Sequence, residues 1–459
     1  MRRFINARGF KRTFLFGACA FVAMLWATAG ARASSGAEEG PVHGLDPFVL
    51  LSVALMLLVA KLGGELFSKF GQPAVLGELI GGMAVGSLSL FGFTSIETLR
   101  TDIVIGALAE IGVIILLFEV GLESDLREMV EVGWSSLLVA ALGVVFPFFL
   151  GWGVAAWFLP GEATLGHLFI GATLCATSVG ITARVLKDMQ KLQTRESRII
   201  LGAAVIDDVL GLLILAVVAG AIKASAAGES LALSSVAVIA LKSVAFLVGA
   251  ILVGQFVVPH LFRGAGRFQS QGVLVASAIA FCFTMAWAAA LVGLAPIVGA
   301  FAAGMVLDEV HFESFVARGE PKLHQLLAPV SALFVPIFFV LMGLKVDLRV
   351  FGQLGVLGFA LVLTIAAIVG KQVCALGVIE RGVNRLAVGL GMIPRGEVGL
   401  IFAGIGATLM LPNAEGKSEP VIGGGTFGAV VIMVIITTLI TPPVLKWSLG
   451  RKKNAAPVE

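Results

Sequence analysis

The sequence predicts an all-α polytopic membrane protein: 13 transmembrane helices, two inverted six-helix repeats, and crossed broken helices 5 and 12. Three observations predict it. The 459 residues are 58% hydrophobic and 13% charged, with a mean hydropathy of +1.02, which excludes a water-soluble domain of this size. Apolar runs of about 20 residues, the length a helix needs to cross about 30 Å of hydrocarbon, recur along the whole chain. Two short motifs also recur at one fixed offset.

Residues 1–33 read as a secretory signal peptide. "MRRFINARGFKR" is basic, "TFLFGACAFVAMLWATAG" is apolar, and "ARA" offers small residues at Ala31 and Ala33 for cleavage. The alternative is an uncleaved first helix. On either reading the segment around His43 lies outside the cytoplasm. Spans follow near 47–67, 73–90, 103–121, 132–158, 166–185, 199–221, 234–257, 271–290, 295–307, 329–344, 354–377, 386–411 and 422–445. The ninth is short, and the fifth and twelfth carry polar, Gly-rich interruptions. An odd number of spans that starts outside places the C-terminus in the cytoplasm.

The basic residues agree with that topology, because loops rich in Lys and Arg stay cytoplasmic. Of the 32 Lys and Arg, 17 fall in inside loops, five in outside loops, six in the signal segment and four within spans (Lys61, Lys242, Lys371 and Arg395). The loop "RVLKDMQKLQTRESR" (184–198) alone holds five. The net charge of +3 therefore reports topology rather than a nucleic-acid or nucleotide partner. Cys19, Cys175, Cys282 and Cys374 all sit in apolar runs without a CxxC pair, as small buried hydrophobes do. The five His are scattered, so no metal cluster and no cofactor are expected.

The repeat rests on "GELIGGM" (77–83) against "GAFAAGM" (299–305), and "GLESDLR" (121–127) against "GLKVDLR" (343–349), both displaced by 222 residues. The first pair follows Pro73 and Pro296. Six spans form the unit and the seventh is left between copies, so the second copy enters upside down. Inverted repeats with interrupted helices at the midplane are an architecture of secondary transporters. The fifth span, "GATLCATSVGITARVL", is broken by Thr177, Ser178, Gly180 and Thr182. In the twelfth, "GLGMIPRGEVGLIFAGIG", Pro394 removes a backbone donor while Arg395 and Glu397 bring charge. Two such breaks in matching places predict a crossing of half-helix ends; a simple proline kink is the alternative.

Asp207 and Asp208, in "GAAVIDDVLGLLILAVVAG" (202–220), lie about 13 Å into the sixth span at 1.5 Å per residue, and Lys371 about 10 Å into the eleventh. Arg395 and Glu397 fall at similar depth. An unpaired charge there costs at least about 2.5–3.5 kcal/mol. Adjacent helical residues point about 100° apart, so the economical assignment pairs one Asp with Lys371 and turns the other toward a wet cavity. A carboxylate that holds either a proton or a hard cation, in a protein open to one side at a time, exchanges one for the other.

The chain resembles the second monovalent-cation:proton antiporter family, most of all the NapA-type bacterial sodium/proton antiporters. The resemblance rests on "GQPAVLGELIGGM" (71–83), "LLFEVGLESDLREM" (116–129), "ATSVGITARVL" (176–186), "ILGAAVIDDVLG" (200–211), Lys371 in "GKQVCALG", and "MIPRGEVGL" (392–400). It implies a homodimer in the bacterial inner membrane that exchanges Na+ or Li+ for H+. A dimerisation domain would comprise 34–131 and 271–353, and a mobile, elevator-like core domain 132–223 and 354–447. Residues 224–270 would carry linker helix 7 and 448–459 the cytoplasmic tail. The resemblance further implies that Asp208 binds the cation or proton and that Asp207 pairs with Lys371, the pattern of electrogenic members. Thr177 and Ser178 would line the crossing, and Arg395 and Glu397 would hold the core together.

Other charges carry smaller expectations. Glu78 belongs to helix packing or a cytoplasmic entrance, and Glu119 to local pairing. Lys61 and Glu65 would neutralise each other at i,i+4. Lys242 would snorkel, or meet a lipid headgroup or an acidic partner. Two rivals are carried. The nearer is a potassium/proton antiporter of the same superfamily; about 14 residues after the last span leave no room for the nucleotide-binding domain of the glutathione-gated systems. The other is an intramembrane aspartyl protease, opposed by adjacent aspartates on one helix and by the absence of Tyr.

Overall fold

The computed structural model describes residues 47–91, 95–123, 133–191, 194–226, 233–268, 272–307, 321–346, 352–412 and 418–450, together with 270, 315 and 349. The expected signal peptide, the end of the tail, and parts of both "GLESDLR" and "GLKVDLR" lie outside the described residues. In chain order the elements are α1 (Pro47–Lys69), α2 (Ala74–Gly86), α3 (Ser95–Thr101), α4 (Ile103–Glu123), α5 (Trp134–Phe158), α6 (Thr164–Thr173) and α7 (Val179–Asp188). Then come α8 (Arg195–Ala226), α9 (Leu233–Phe256), α10 (Val258–Ala265), α11 (Val273–Leu291), α12 (Pro296–Met305) and α13 (Leu323–Lys345). The chain closes with α14 (Leu354–Val373), α15 (Arg385–Gly391), α16 (Glu397–Thr408), β1 (Met410–Pro412), β2 (Ser418–Pro420) and α17 (Gly424–Gly450). Among the described residues, nine helices are long and apolar enough to cross a membrane, and three shorter apolar ones accompany them.

The expected fifth span is two helices, α6 and α7, and the twelfth is α15 and α16. Hydropathy missed two features. The twelfth span was expected to reach 411, but α16 stops at Thr408 and β1 pairs antiparallel with β2, Met410 opposite Pro420. Polar loop residues hide that hairpin from an apolar-run reading. The sixth span was expected from 199, yet α8 starts at Arg195. Thr194 caps it by accepting from Ser197 N at 3.3 Å, and Ser197 Oγ donates to Lys191 O at 2.7 Å. A capped polar turn thus precedes the apolar one.

The chain divides into two compact units, 1–112 with 333–347, and 113–332 with 348–459. In the first, glycine faces bring backbones together. A Cβ on Gly77 would strike the carbonyl of Gly63, one on Gly82 that of Val340, and one on Gly343 that of Leu79. Glu78 is buried on α2, where the cation acting on it is Lys61. Lys61 was expected to neutralise Glu65. Instead Glu65 pairs with Lys69 at 3.2 Å, the Glu-before-Lys order that helices favour.

In the second unit, a Cβ on Gly299 would strike the carbonyl of Met285, one on Gly304 that of Phe118, and one on Gly121 that of Phe301. Each of these three contacts corresponds to one in the first unit displaced by 222 positions: 63 and 77 with 285 and 299, 82 and 340 with 304 and 118, 79 and 343 with 301 and 121. Small residues permit this approach where no hydrophobic force separates helix from lipid. Glu119 lies in the field of His324, with Ser331 beside it.

The rest of the second unit is organised around α5 and α8. α8 is two-thirds buried (67%) and α9 least of the nine spans (17%). A Cβ on Gly171 would meet Phe148 O at 2.6 Å, one on Gly370 would meet Pro147 at 2.9 Å, and one on Gly377 would meet Val139 N at 2.6 Å. These close approaches lay α6 and α14 against α5. At the end of α14, Ser135 Oγ donates to Glu380 and accepts from Ile379 N at 2.8 Å.

Gly304→Ala is expected to destabilise the protein by about 1–3 kcal/mol through overpacking, read as a lower melting temperature in detergent. Gly106→Ala, which meets nothing within 4 Å, should melt no lower than the parent. Equal loss at both positions would contradict the packing described.

Candidate functional site

Two broken helices meet in the second unit. α6 ends at Thr173 and α7 begins at Val179; α15 ends at Gly391 and α16 begins at Glu397. Pro394 supplies no N–H, and Gly396 is the residue before α16. The segments between the half-helices touch directly: Ser178 N donates to Pro394 O at 2.8 Å. A Cβ on Gly396 would come within 2.5 Å of Ser178 Oγ, so this contact needs glycine.

Each break then receives donors from the other. The Arg395 guanidinium, fully buried, donates to Cys175 O at 3.1 Å and to Ala176 O. Those carbonyls follow the C-terminal end of α6, where the helix dipole is negative. Reciprocally, Thr182 Oγ1 of α7 donates to Gly391 O, the last residue of α15, at 2.6 Å. Arg395 is also fixed through its backbone: its N donates to Thr437 Oγ1 at 3.3 Å, and Thr438 Oγ1 donates to its carbonyl at 2.6 Å. The Glu397 side chain lies outside the described residues.

α8 carries the aspartates. Lys371 Nζ on α14 donates to Asp207 Oδ1 at 2.7 Å, with neither side chain exposed. Gly143 on α5 borders the lysine: its Cβ would lie 3.4 Å from Lys371 Nζ, an ordinary packing distance. Asp207 also acts electrostatically on Arg395, so the ion pair and the crossing share one field. Asp208 is buried but for 7% of its surface. Thr177 Oγ1 and Asp207 Oδ2 are buried and find no hydrogen-bond partner among the described residues. Buried oxygens of this kind ordinarily have one. No group of three or more His, Cys, Asp or Glu stands together among the described residues.

Of the residues singled out in the sequence, Asp207 and Lys371 are in contact, as are Ser178 and the Pro394–Arg395 segment. Thr177 is buried in the same break as Ser178. Thr182 is expected from the sequence only as one of the residues that break the fifth span, and Thr437, Thr438 and Gly143 carry no expectation. Thr437 and Thr438 form an adjacent hydroxyl pair inside the apolar run of the last span, a visible signal without a visible target. Nothing in the sequence marks Gly143 among its 57 glycines.

Comparison with known proteins is consistent throughout. The family model described as "Sodium/hydrogen exchanger, transmembrane" matches residues 54–449. The chain is 38% identical to the high-affinity Na(+)/H(+) antiporter NhaS3 of Synechocystis sp. over 89% of its own length and 92% of that protein. It is 35% identical to the Na(+)/H(+)-K(+) antiporter GerN of Bacillus cereus, covering 88% and 97% respectively. Its fold matches that of the sodium proton antiporter MjNhaP1 from Methanocaldococcus jannaschii with a TM-score of 0.63 at 15% identity, over 88% of this chain and 97% of that one.

Removing one partner of a buried ion pair strands the other charge. Lys371→Ala is therefore expected to destabilise the protein by about 3–5 kcal/mol, and Asp207→Asn combined with Lys371→Met to recover most of that loss. Thermal unfolding of the two variants in detergent checks this; a Lys371→Ala variant that melts with the parent would contradict it.

Proposed function

Because the chain belongs to the sodium/hydrogen exchanger family, we propose that it is a secondary active sodium/proton antiporter in which Na+ (or Li+) and H+ compete for Asp208. The observation that carries the reading is the Lys371–Asp207 contact at 2.7 Å. It commits Asp207 to a buried cation, and the exchange of the transported ions is assigned to its neighbour Asp208. The relatives described above carry Na(+)/H(+) antiport in their names, which supports the same ions here. The chain is a multi-pass membrane protein.

The exchange step is simple. Protonated Asp208 releases H+ as Na+ arrives, and the carboxylate then balances the cation's charge. Oxygen donors suit a hard cation. Asp207 Oδ2 and Thr177 Oγ1 supply candidate oxygens, and Ser178 stands at the same break. Arg395 keeps the positive charge it brings on the carbonyls of Cys175 and Ala176, away from a coordinating role. Glu397 is assigned to the core with it. An electrogenic exchange of more than one proton per Na+ would draw its second proton from the Lys371 ammonium, given up when Asp207 turns from the lysine to the arriving cation.

The proposal extends to architecture. Corresponding glycine contacts displaced by 222 positions support two inverted repeats. Residues 132–223 and 354–447 would form the core that moves as an elevator, and 34–131 with 271–353 the dimerisation domain of a homodimer. The protein would lie in the bacterial inner membrane, its N-terminus outside and its C-terminus in the cytoplasm. Potassium/proton exchange is the second reading, favoured by the similarity to GerN, whose name includes K(+). An aspartyl protease needs two carboxylates sharing one proton, and Asp207 is instead tied to Lys371.

Proteoliposomes with an internal pH dye test the reading. Na+ and Li+ are expected to drive proton movement, K+ to drive less, and Asp208→Asn to abolish all of it. Full exchange by that variant would remove Asp208 from the mechanism, and K+ outperforming Na+ would select the second reading. A voltage-sensitive dye should record charge movement during exchange; electroneutral exchange would contradict the electrogenic assignment.

A further inference from the structure

Lys242 sits on α9, the least enclosed span, and is exposed. The same helix also exposes the apolar residues Val238, Leu241, Val244 and Val248. A lone ammonium there would be costly, and among the described residues it has no ion-pair partner. The register between α8 and α9 identifies what stands beside it.

A Cβ on Gly220 of α8 would meet Ile239 Cγ2 of α9 at 2.7 Å. Gly220 is six residues before the end of α8 and Ile239 six residues after the start of α9, so the two helices run antiparallel from their connection. Lys223 lies three residues beyond Gly220, and Lys242 three beyond Ile239. Three helical residues turn about 300°, which places each lysine about 60° from the contact line. Because the helices run in opposite directions, those two rotations carry both lysines to the same flank of the seam. Their Cα levels differ by about 9 Å at 1.5 Å per residue. The Cα–Cβ bond of a helical residue tilts toward its own N-terminus. Lys223 therefore tilts back toward the level of Lys242, and Lys242 up toward that of Lys223. Both are exposed.

We propose that this flank is a binding site for one anionic phospholipid. The two ammonium groups grip its phosphate, and an acyl chain runs along the neighbouring exposed apolar face of α9 that carries Leu241, Val244 and Val248. The level fits. α8 is 32 residues long, about 48 Å, against about 30 Å of hydrocarbon, so its final turns stand among headgroups. Lysines at that boundary extend their charge outward, and two cations of one sign over an apolar strip select a negatively charged lipid. The site depends only on the chain spanning a membrane, not on which ions it exchanges.

The test is native mass spectrometry of the full chain in detergent, titrated with equal amounts of phosphatidylglycerol and phosphatidylcholine. The parent is expected to retain one phosphatidylglycerol in preference to phosphatidylcholine. K223A/K242A should lower that retention about tenfold or more, while K223R/K242R and the control K446A keep it. Glu229 lies on the connection 227–232, outside the described residues; E229Q should keep or strengthen retention. Equal retention of the two lipids by the parent, or unchanged phosphatidylglycerol retention by K223A/K242A, would overturn the proposal. So would loss of retention in E229Q, or dissociation of a dimer by K223A/K242A without any change in lipid retention, which would mark the flank as a contact between copies.

Discussion

A peptide group without a partner at membrane depth costs several kcal/mol, and two interrupted helices create many such groups at once. The crossing answers that demand by mutual capping. Arg395 and Thr182 each cross to the opposite helix and satisfy carbonyls at its broken end, and Ser178 N closes the centre on Pro394 O. α17 locks the arrangement from outside through Thr437 and Thr438. Unwound backbone is tolerated only when other protein groups complete it. Once completed, it offers dipoles and hydroxyls at a depth where a continuous helix would offer only side-chain hydrocarbon.

The same constraint explains the division of labour among the charges. Arg395 Nη1 is spent on carbonyl oxygens and Lys371 on Asp207, while Arg395 Nε and Nη2 are buried without a hydrogen-bond partner among the described residues. α5 makes both arrangements possible. Gly143 borders the Lys371 side chain, and Phe148 lies against Gly171 on the helix that leads into the first break. An alanine at Gly171 would strike Phe148 O and force apart the helices that lead into the crossing.

Much of this was legible in the sequence, because membrane depth leaves few ways to accommodate charge. Asp207, Lys371, Pro394 and Arg395 stood out as polar residues within apolar runs; depth and helical angle paired one aspartate with Lys371, and the family resemblance implied that it is Asp207. The breaks in spans 5 and 12 were visible as Gly, Ser, Thr and Pro clusters. What escaped reading depends on neighbours rather than on local pattern. The preference of Glu65 for Lys69 over Lys61 needed the side-chain geometry of α1. The early start of α8 lay in a polar turn that hydropathy discounts. The hairpin of β1 and β2 is three residues a side, too short to leave a periodic trace. Reciprocal capping by Thr182 was invisible, since its acceptor is 209 residues away.

The central claim is that one carboxylate alternates between a proton and an alkali cation. The direct measurement is proton release on addition of Na+ to purified protein in weakly buffered detergent, with bound Na+ followed calorimetrically. The account predicts saturable release that accompanies binding and disappears in Asp208→Asn. Na+ binding without proton release, or release that survives in Asp208→Asn, would contradict it.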